Sequence, residues 1–321
     1  MKSKLFKTLG IMIVVSILYP SIVLAAEAYP TKPVRIIVPF PAGGTADRTA
    51  RPLAAELSER FGKQFIVENR GGAGSIIGTE VVARKKPDGY TLILSTASHC
   101  TVAALQKLPY DPIKSFTPIA MAGTAPLMLL VHPSVPANSV KELIALAKQK
   151  PGQVLFGASG MGAFAHLGTE LFTTMADIEF KLVQFKGTGP SMIELIGGHI
   201  DGLFCSLTQA LSHIKSGKVR VLGTGGLKRS VMLPDVPTIA EAGLPGYKFA
   251  NWCGIQGPGG MPAPIVDRLN KELKAILASD EMKKRFLSNG FEVGYLGPAE
   301  FATLIQEELT IYARIANKLR K

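Results

Sequence analysis

The chain has 321 residues, of which 47% are hydrophobic and 19% are charged, and its formal net charge is +12. This length allows one large domain or two medium ones, and the composition is that of a globular protein with a sizeable core. The basic residues are scattered, without the interleaved aromatic side chains of a nucleic-acid surface, so we expect no nucleic-acid partner.

The N-terminal residues have the order of a secretory signal peptide. Three lysines precede an apolar run at residues 9–25, and small residues follow around Ala26. The run is nearly long enough to be an uncleaved membrane anchor, but Pro20 near its end and the alanines favour cleavage. We therefore predict that residues 1–26 are a signal peptide and that the mature protein is exported to the periplasm.

From residue 34 onward, strand and helix signals alternate along the chain. The predicted strands are residues 34–38, 65–67, 91–94, 128–131, 154–156, 182–185, 202–205, 219–223 and 252–255. The predicted helices are residues 46–61, 76–83, 140–148, 163–175, 191–196, 265–277, 281–287 and 298–316. This alternation predicts an α/β fold with largely parallel sheets and right-handed crossovers.

Two proline-containing breaks, at residues 124–126 and 244–246, are interpreted as crossovers between two domains. Lobe 1 is then discontinuous and consists of residues 27–125 and 247–321, whereas lobe 2 consists of residues 126–246. The predicted architecture is two parallel-dominated α/β domains that are joined by a hinge with two crossovers.

The cysteines and histidines do not suggest a metal site or a disulfide scaffold. Cys100, Cys205 and Cys253 are few and widely spaced, so we interpret them as small buried hydrophobic residues. His166 and Glu170 are four residues apart on one helix face, but such a pair supplies only two ligands. We expect no metal ion.

Two motifs resemble cofactor or catalytic signatures but depart from them. The segment "GAGSIIG" at residues 72–78 has its third glycine one residue late for a dinucleotide fingerprint, so we expect no cofactor. The segment at residues 157–161 resembles a nucleophile elbow around Ser159, but Met161 occupies the position of its last glycine. An exported serine hydrolase that uses Ser159 remains an alternative.

A turn of small residues between a strand and a helix recurs at four places. These turns are residues 41–45, 95–98, 159–162 and 186–189. Ligands of open α/β sheets bind at the carboxyl ends of strands, and helix N-termini offer backbone N–H groups to anions. The alternative is that such loops carry small polar residues for structural reasons alone.

Asp47 complicates the first of these turns because it lies in the first turn of the predicted helix. Its charge would repel an anion if it faced the ligand. It is either a structural cap or a residue that contacts the ligand through water, a hydroxyl group or an amine, and we favour the contact through water.

Seven ordered blocks of sequence cover essentially the whole mature chain. They are "YPTKPVRIIVPFPAGGTADRTAR" at 29–51, "VENRGGAGSIIGTEVVARKKPDGYTL" at 67–92, "LPYDPIKSFTPIA" at 108–120, "VHPSVPANSVKELIALAKQKPGQVLFGASG" at 131–160, "FKGTGPSMIELIGGHID" at 185–201, "LPDVPTIAEAGLPGY" at 233–247 and "GPGGMPAPIVDRLNKEL" at 257–273. Together they resemble the substrate-binding receptors of tripartite tricarboxylate transporters, also called Bug-type receptors.

The resemblance implies a two-lobed periplasmic receptor without catalytic activity, whose lobes close on a small organic acid. The ligand-binding residues that it implies in lobe 1 are Phe40, Ala42, Gly43, Gly44, Thr45, Asp47, Thr96, Ser98 and His99. Those that it implies in lobe 2 are Ser159, Gly160, Gly162, Phe164, Lys186, Thr188, Cys205 and Ser206. The implied partners are a carboxylate ligand and the membrane subunits of a transporter, and we expect a monomer. A sensor that docks on a signalling receptor remains an alternative.

The chain departs from the family pattern in lobe 2. Family members often have Tyr at the position of Phe185, Ser at that of Phe164 and an acidic or amide residue near Cys205 and Ser206. These differences make the wall more apolar, so we expect a ligand with apolar or aromatic bulk beside its carboxylate instead of a compact polyacid such as citrate.

Overall fold

The computed structural model describes residues 29–158, 164–185 and 187–319. The predicted signal peptide at residues 1–26 lies outside the described residues. The same is true of four expected ligand-binding residues, namely Ser159, Gly160, Gly162 and Lys186.

Within the described residues the chain forms ten β-strands and ten α-helices. The strands are β1 Val34–Val38, β2 Phe65–Asn69, β3 Thr91–Thr96, β4 Phe116–Val131, β5 Leu155–Ala158, β6 Lys181–Gln184, β7 Gly202–Ser206, β8 Arg220–Thr224, β9 Ala250–Pro258 and β10 Glu292–Leu296. The helices are α1 Thr45–Phe61, α2 Ile76–Ala83, α3 Ser98–Leu105, α4 Val140–Gln149, α5 Phe164–Ala176, α6 Thr188–Ile196, α7 Leu207–Lys215, α8 Ala263–Ala278, α9 Asp280–Ser288 and α10 Pro298–Leu319.

The strands form one extended sheet in the order β2-β1-β3-β9-β4-β7-β5-β6, and both β8 and β10 also pair with β4. The pairs of β1 with β2 and β3 are parallel, as are the pairs of β5 with β6 and β7. Antiparallel pairs occur where β4 and β9 cross the middle of the sheet. The predicted α/β class is confirmed, with parallel strands toward both ends of the sheet.

Strand β4 joins the two halves of the sheet. Its residues 116–126 pair with β9, and its residues 127–131 pair with β7. The sequence pattern predicted only the last four residues of this strand, because prolines at 118 and 126 are unfavourable inside a strand. The register shifts between Pro118 and Ala120, where β4 accommodates an irregularity. The lobe boundaries proposed from the sequence stay a prediction.

Helix α1 shows how the sequence sets a local structure that later positions the site. Ala50, Leu53 and Leu57 are buried at helical spacing and face the apolar side of β1. The helix ends at Gly62, whose φ of 63° is in the left-handed region that glycine adopts without steric cost. These contacts fix the N-terminus of α1 next to the end of β1.

The structure bears on two further features of the chain. Cys100, Cys205 and Cys253 are all buried and unpaired, as predicted from their spacing. Of the helices in the described part of the chain, none combines the length and the hydropathy that a bilayer-spanning helix needs.

Candidate functional site

A cavity of about 770 Å³ opens at the carboxyl ends of β1 and β3. This volume lies in the range of small-molecule sites, which is about 300–1,000 Å³. The cavity is lined by Phe40, Pro41, Ala42, Gly43, Gly44, Thr45, Ala46, Gly74, Thr96, Ser98, Thr101, Val102, Phe164, Asn251 and Phe291. Because β1 and β3 are parallel neighbours, the loops that follow them lie side by side.

The loop between β1 and α1 contributes backbone donors to the cavity wall. Gly43 has a φ of 77°, which favours glycine, and Gly44 is the extended N-cap residue of α1. The first helical hydrogen bond runs from the N–H of Arg48 to the carbonyl of Gly44, at 3.0 Å. The N–H groups of Thr45 and Ala46 precede it and have no partner within the helix. They are available to an anion in the cavity.

Asp47 anchors this loop from inside. Its Oδ2 atom accepts hydrogen bonds from the N–H of Gly43 at 2.8 Å and from Nε of Arg51 at 3.0 Å. Its Oδ1 atom lies 2.9 Å from the Arg51 guanidinium. Burial raises the pKa of Asp47, but the hydrogen bonds from Arg51 and Gly43 outweigh it and leave the pKa below its usual value.

These contacts favour the structural role of Asp47 over the predicted contact with the ligand through water. Its side chain is nearly inaccessible, it does not line the cavity and its charge is paired with Arg51. A second tether reaches the other end of the loop, since Arg51 donates to Asn69 and the Asn69 amide donates to the Phe40 carbonyl. Arg51 lies four residues after Asp47, a spacing that favours an ion pair on one helix face and could have identified it.

The start of α3 contributes hydroxyl groups. The Ser98 hydroxyl lies 3.0 Å from the Thr96 hydroxyl and 3.1 Å from that of Ser75, a residue of the neighbouring loop. Thr96 and Ser98 both line the cavity. These rotatable donors lie beside the backbone donors of α1, so the same end of the cavity can offer several hydrogen bonds to a bound oxygen atom.

His99 does not reach the cavity, contrary to the expectation from the sequence. It is buried, its Nε2 atom lies 2.8 Å from the carbonyl oxygen of Pro112, and its ring packs edge-on against Phe116. Burial lowers the pKa of His99 and outweighs the hydrogen bond to Pro112, which raises it. These contacts hold the His99 ring away from the cavity, whereas Thr96 and Ser98 line it.

Of the expected lobe 2 residues that the structure describes, only Phe164 lines the cavity. Cys205 is buried among apolar side chains of the sheet. The Ser206 hydroxyl is engaged at the start of α7 with Thr208 and Gln209. Thr188 begins α6 without lining the cavity. Most of the ligand-binding residues expected in lobe 1 therefore line the cavity, whereas most of the described ones expected in lobe 2 do not.

Several cavity residues were missed from the sequence, notably Val102, Asn251 and Phe291. Asn251 lies on β9, which pairs with β3 and β4, and Phe291 lies in the turn between α9 and β10. Both come from the last quarter of the chain. The Asn289-Gly290 turn before Phe291 does not distinguish a binding site from an ordinary connection, so only the tertiary structure brings Asn251 and Phe291 to the first loop.

Charge is absent from the described cavity wall, because none of its lining residues is ionisable. Within the part of the chain that the structure describes, there is also no cluster of three or more His, Cys, Asp or Glu residues that could hold a metal ion. The described wall offers neutral hydrogen-bond donors and apolar surface, which suits reversible binding of a small molecule.

A family model described as "Tripartite tricarboxylate transporter family receptor" matches residues 49–320. Protein BugT of Bordetella pertussis is 34% identical over 298 residues, which are 92% of this chain and 91% of BugT.

Two solved structures extend the comparison. An R. palustris protein described "with adipate" is 36% identical, with a TM-score of 0.67 over 90% of this chain and 97% of that chain. A TctC solute-binding protein from Polaromonas, described with "no ligand", is 27% identical, with a TM-score of 0.84 over 90% of this chain and 99% of that chain.

Proposed function

Because the chain belongs to the family of tripartite tricarboxylate transporter receptors, we propose that it binds a small organic carboxylate and delivers it to a membrane transporter of that class. The adipate in the R. palustris relative supports an acid as the ligand. In this proposal the protein acts by binding alone and catalyses no reaction.

One observation carries the proposal. The cavity is lined by the N-terminal residues of two helices, Thr45 and Ala46 of α1 and Ser98 of α3. A helix N-terminus stabilises an anion by about 0.3–1 kcal/mol when exposed and by up to about 2 kcal/mol when partly buried. A carboxylate placed there meets two such termini and the adjoining hydroxyl groups, whereas the described wall gives it no acidic neighbour.

The proposed site consists of the lobe 1 loops and Phe164, with Ser159, Gly160, Gly162 and Lys186 as further expected contacts. The receptor consists of lobe 1, residues 27–125 and 247–321, and lobe 2, residues 126–246. Strand β4 supports a hinge between them, because it pairs within both halves of the sheet. The protein works as a monomer in the periplasm after its signal peptide is removed.

The test is a binding screen on the mature protein, which is unfolded and refolded first to remove resident ligand. The panel holds dicarboxylates, tricarboxylates, aromatic acids and amino acids, each beside its neutral amide. A ligand at one hundred times its dissociation constant adds about 2.7 kcal/mol of stability, which a thermal-shift assay resolves. Shifts by acids and not by the matched amides are expected. Equal shifts by acids and amides, or no shift by any acid, would contradict the proposal.

A further inference from the structure

We propose that the ligand carries a single carboxylate on an apolar, aromatic body, and that the site discriminates against compact polycarboxylates. This inference rests on the proposed function, since it names the kind of acid that the same cavity binds. The inference is based on how polar and apolar groups are distributed over the cavity wall.

The apolar part of the wall is aromatic. Three phenylalanines, Phe40, Phe164 and Phe291, line the cavity together with Val102. They come from different parts of the chain: the end of β1, the first residue of α5, and the turn between α9 and β10. Aromatic rings pair edge-to-face or offset with other rings and gain from burial of apolar area. A ring or branched chain in the ligand would therefore be enclosed from several sides.

Phe164 is held in place by other rings. Its centroid lies 4.4 Å from that of Phe249, at an interplanar angle of 34°. Phe249 is buried and meets the Tyr312 ring edge-on, with centroids 5.5 Å apart. Because Phe164 is braced from behind, its exposed face is presented to the cavity at little further cost in side-chain entropy.

Thr101 and Asn251 add neutral polar side chains to the wall, but the helix N-termini suited to an anion belong to the half of the sheet that does not supply Phe164. The free N–H groups of Thr45 and Ala46 and the hydroxyl group of Ser98 follow neighbouring strands β1 and β3, whereas Phe164 follows β5 in the other half of the sheet. A ligand that spans the cavity thus places one end among donors and extends toward Phe164 with the other. The polarity of the wall matches a molecule with one anionic end.

Among the residues of the proposed site Lys186 is the sole basic one, and the described lining residues add no other, so two or three carboxylates would share one counter-charge. A buried carboxylate with neither a counter-charge nor hydrogen bonds is strongly unfavourable, so each further carboxylate in the cavity would weaken binding. An apolar group in the same place gains free energy from leaving water.

The experiment is a calorimetric titration of the refolded mature protein with five probes. Adipate and hexanoate differ by one terminal carboxylate, 3-phenylpropionate adds a ring, 3-phenylpropionamide removes the charge, and citrate represents compact polyacids. We expect 3-phenylpropionate to bind at least tenfold more tightly than adipate or citrate, and hexanoate to bind more tightly than adipate. Tighter binding of adipate or citrate overturns the inference and leaves the receptor function intact. If no acid binds, or if 3-phenylpropionamide binds as tightly as 3-phenylpropionate, the proposed function itself is contradicted.

Two matched variants test the role of the ring. Phe164→Leu removes the aromatic face from the cavity, and Phe61→Leu removes a half-buried ring that packs against Phe65 far from the cavity. We expect Phe164→Leu to weaken 3-phenylpropionate about threefold to tenfold, with a smaller effect on hexanoate. Phe61→Leu should leave both affinities unchanged. Unchanged 3-phenylpropionate affinity in Phe164→Leu, or an equal loss in both variants, overturns the inference.

Discussion

The backbone N–H of Gly43 donates a 2.8 Å hydrogen bond to the carboxylate of Asp47, four residues further along the chain. This bond closes the loop between β1 and α1 on itself. Asp47 would repel an anionic ligand if it faced the cavity. Here its carboxylate instead supports the loop from inside, and Arg51 balances its charge. The donors left facing the cavity belong to Thr45 and Ala46, and their position depends on this closed loop.

Loss of the Asp47 carboxylate should destabilise the protein and weaken ligand binding together. Asp47→Ala removes the acceptor of the Gly43 N–H and the carboxylate that balances the charge of Arg51, which keeps only its hydrogen bond to Asn69. A lost charge-assisted hydrogen bond costs about 1.5–3 kcal/mol, which urea denaturation measures. Affinity should fall because the loop is no longer held.

The control for this change is Arg84→Ala, which breaks another ion pair at helical spacing, that with Glu80. Because that pair is exposed, its loss should change the free energy of unfolding by less than about 0.5 kcal/mol. If Asp47→Ala is as stable as the native chain and keeps its affinity, then Asp47 does not support the loop.

Removal of one backbone donor should weaken carboxylate binding without unfolding α1. Thr45→Pro places proline at the first helical position, after an extended Gly44 with a ψ of 170°, where proline is well tolerated. The variant loses the N–H of residue 45. A hydrogen bond to a charged group contributes about 1.5–3 kcal/mol, so we expect at least a tenfold rise in Kd by calorimetry.

Asp280→Pro is the matched control for this variant. Asp280 begins α9 after Ser279, whose ψ of 144° is also extended, and its side chain is exposed. Proline there removes a comparable N–H away from the cavity, so the affinity should not change. Equal affinities of the two variants would mean that the N-terminus of α1 does not hold the ligand.

Glu308 should make the stability of the protein depend on pH. Its Oε2 atom accepts a hydrogen bond from Nε1 of Trp252 at 2.8 Å in the interior. Burial raises the pKa of Glu308 to about 8, against the smaller lowering effects of hydrogen bonds from Trp252, Cys100 and Tyr312 and of the Lys248 charge. The folded state thus keeps a proton that the unfolded state loses above its usual pKa of about 4.5. Stability should fall as pH rises from about 4.5 to about 8 and then level off.

The comparison of the native chain with Glu308→Gln isolates this effect. The amide stays neutral, so between about pH 5 and pH 8.5 the Tm of the variant should fall less than that of the native chain, by several degrees. Burial lowers the pKa of His99 and of His166, which gives the opposite slope near pH 6 in both proteins and cancels in the difference. Glu307→Gln, at an exposed neighbour, should follow the native chain. Parallel Tm curves for the native chain and Glu308→Gln would show that Glu308 is ionised when folded.

The sequence predicted those parts of the fold that depend on local patterns. The helical spacing of Leu53 and Leu57 indicated α1, and the small residues of the Pro41–Thr45 turn were enough to mark one wall of the cavity. Strand β4 was mostly missed because Pro118 and Pro126 obscure its pattern, and pairing with β9 overrides that local preference.

A site residue could be predicted from the sequence only where the pattern that marks a turn lies in the same segment as the residues that line the cavity. The glycines before α1 fulfil that condition. Asn251 and Phe291 do not, since they reach the cavity through strand pairing and through the turn after α9. The orientation of His99 was likewise beyond the sequence, because it depends on the Pro112 carbonyl and the Phe116 ring.

A crystal structure of the refolded protein with its tightest-binding acid would show where the carboxylate lies. We predict that the carboxylate oxygens lie within about 3 Å of the backbone N–H groups of Thr45 and Ala46 and of the Ser98 hydroxyl group, with Asp47 still bonded to Gly43. An acid bound elsewhere, or one whose carboxylate points away from the N-termini of α1 and α3, would contradict the account.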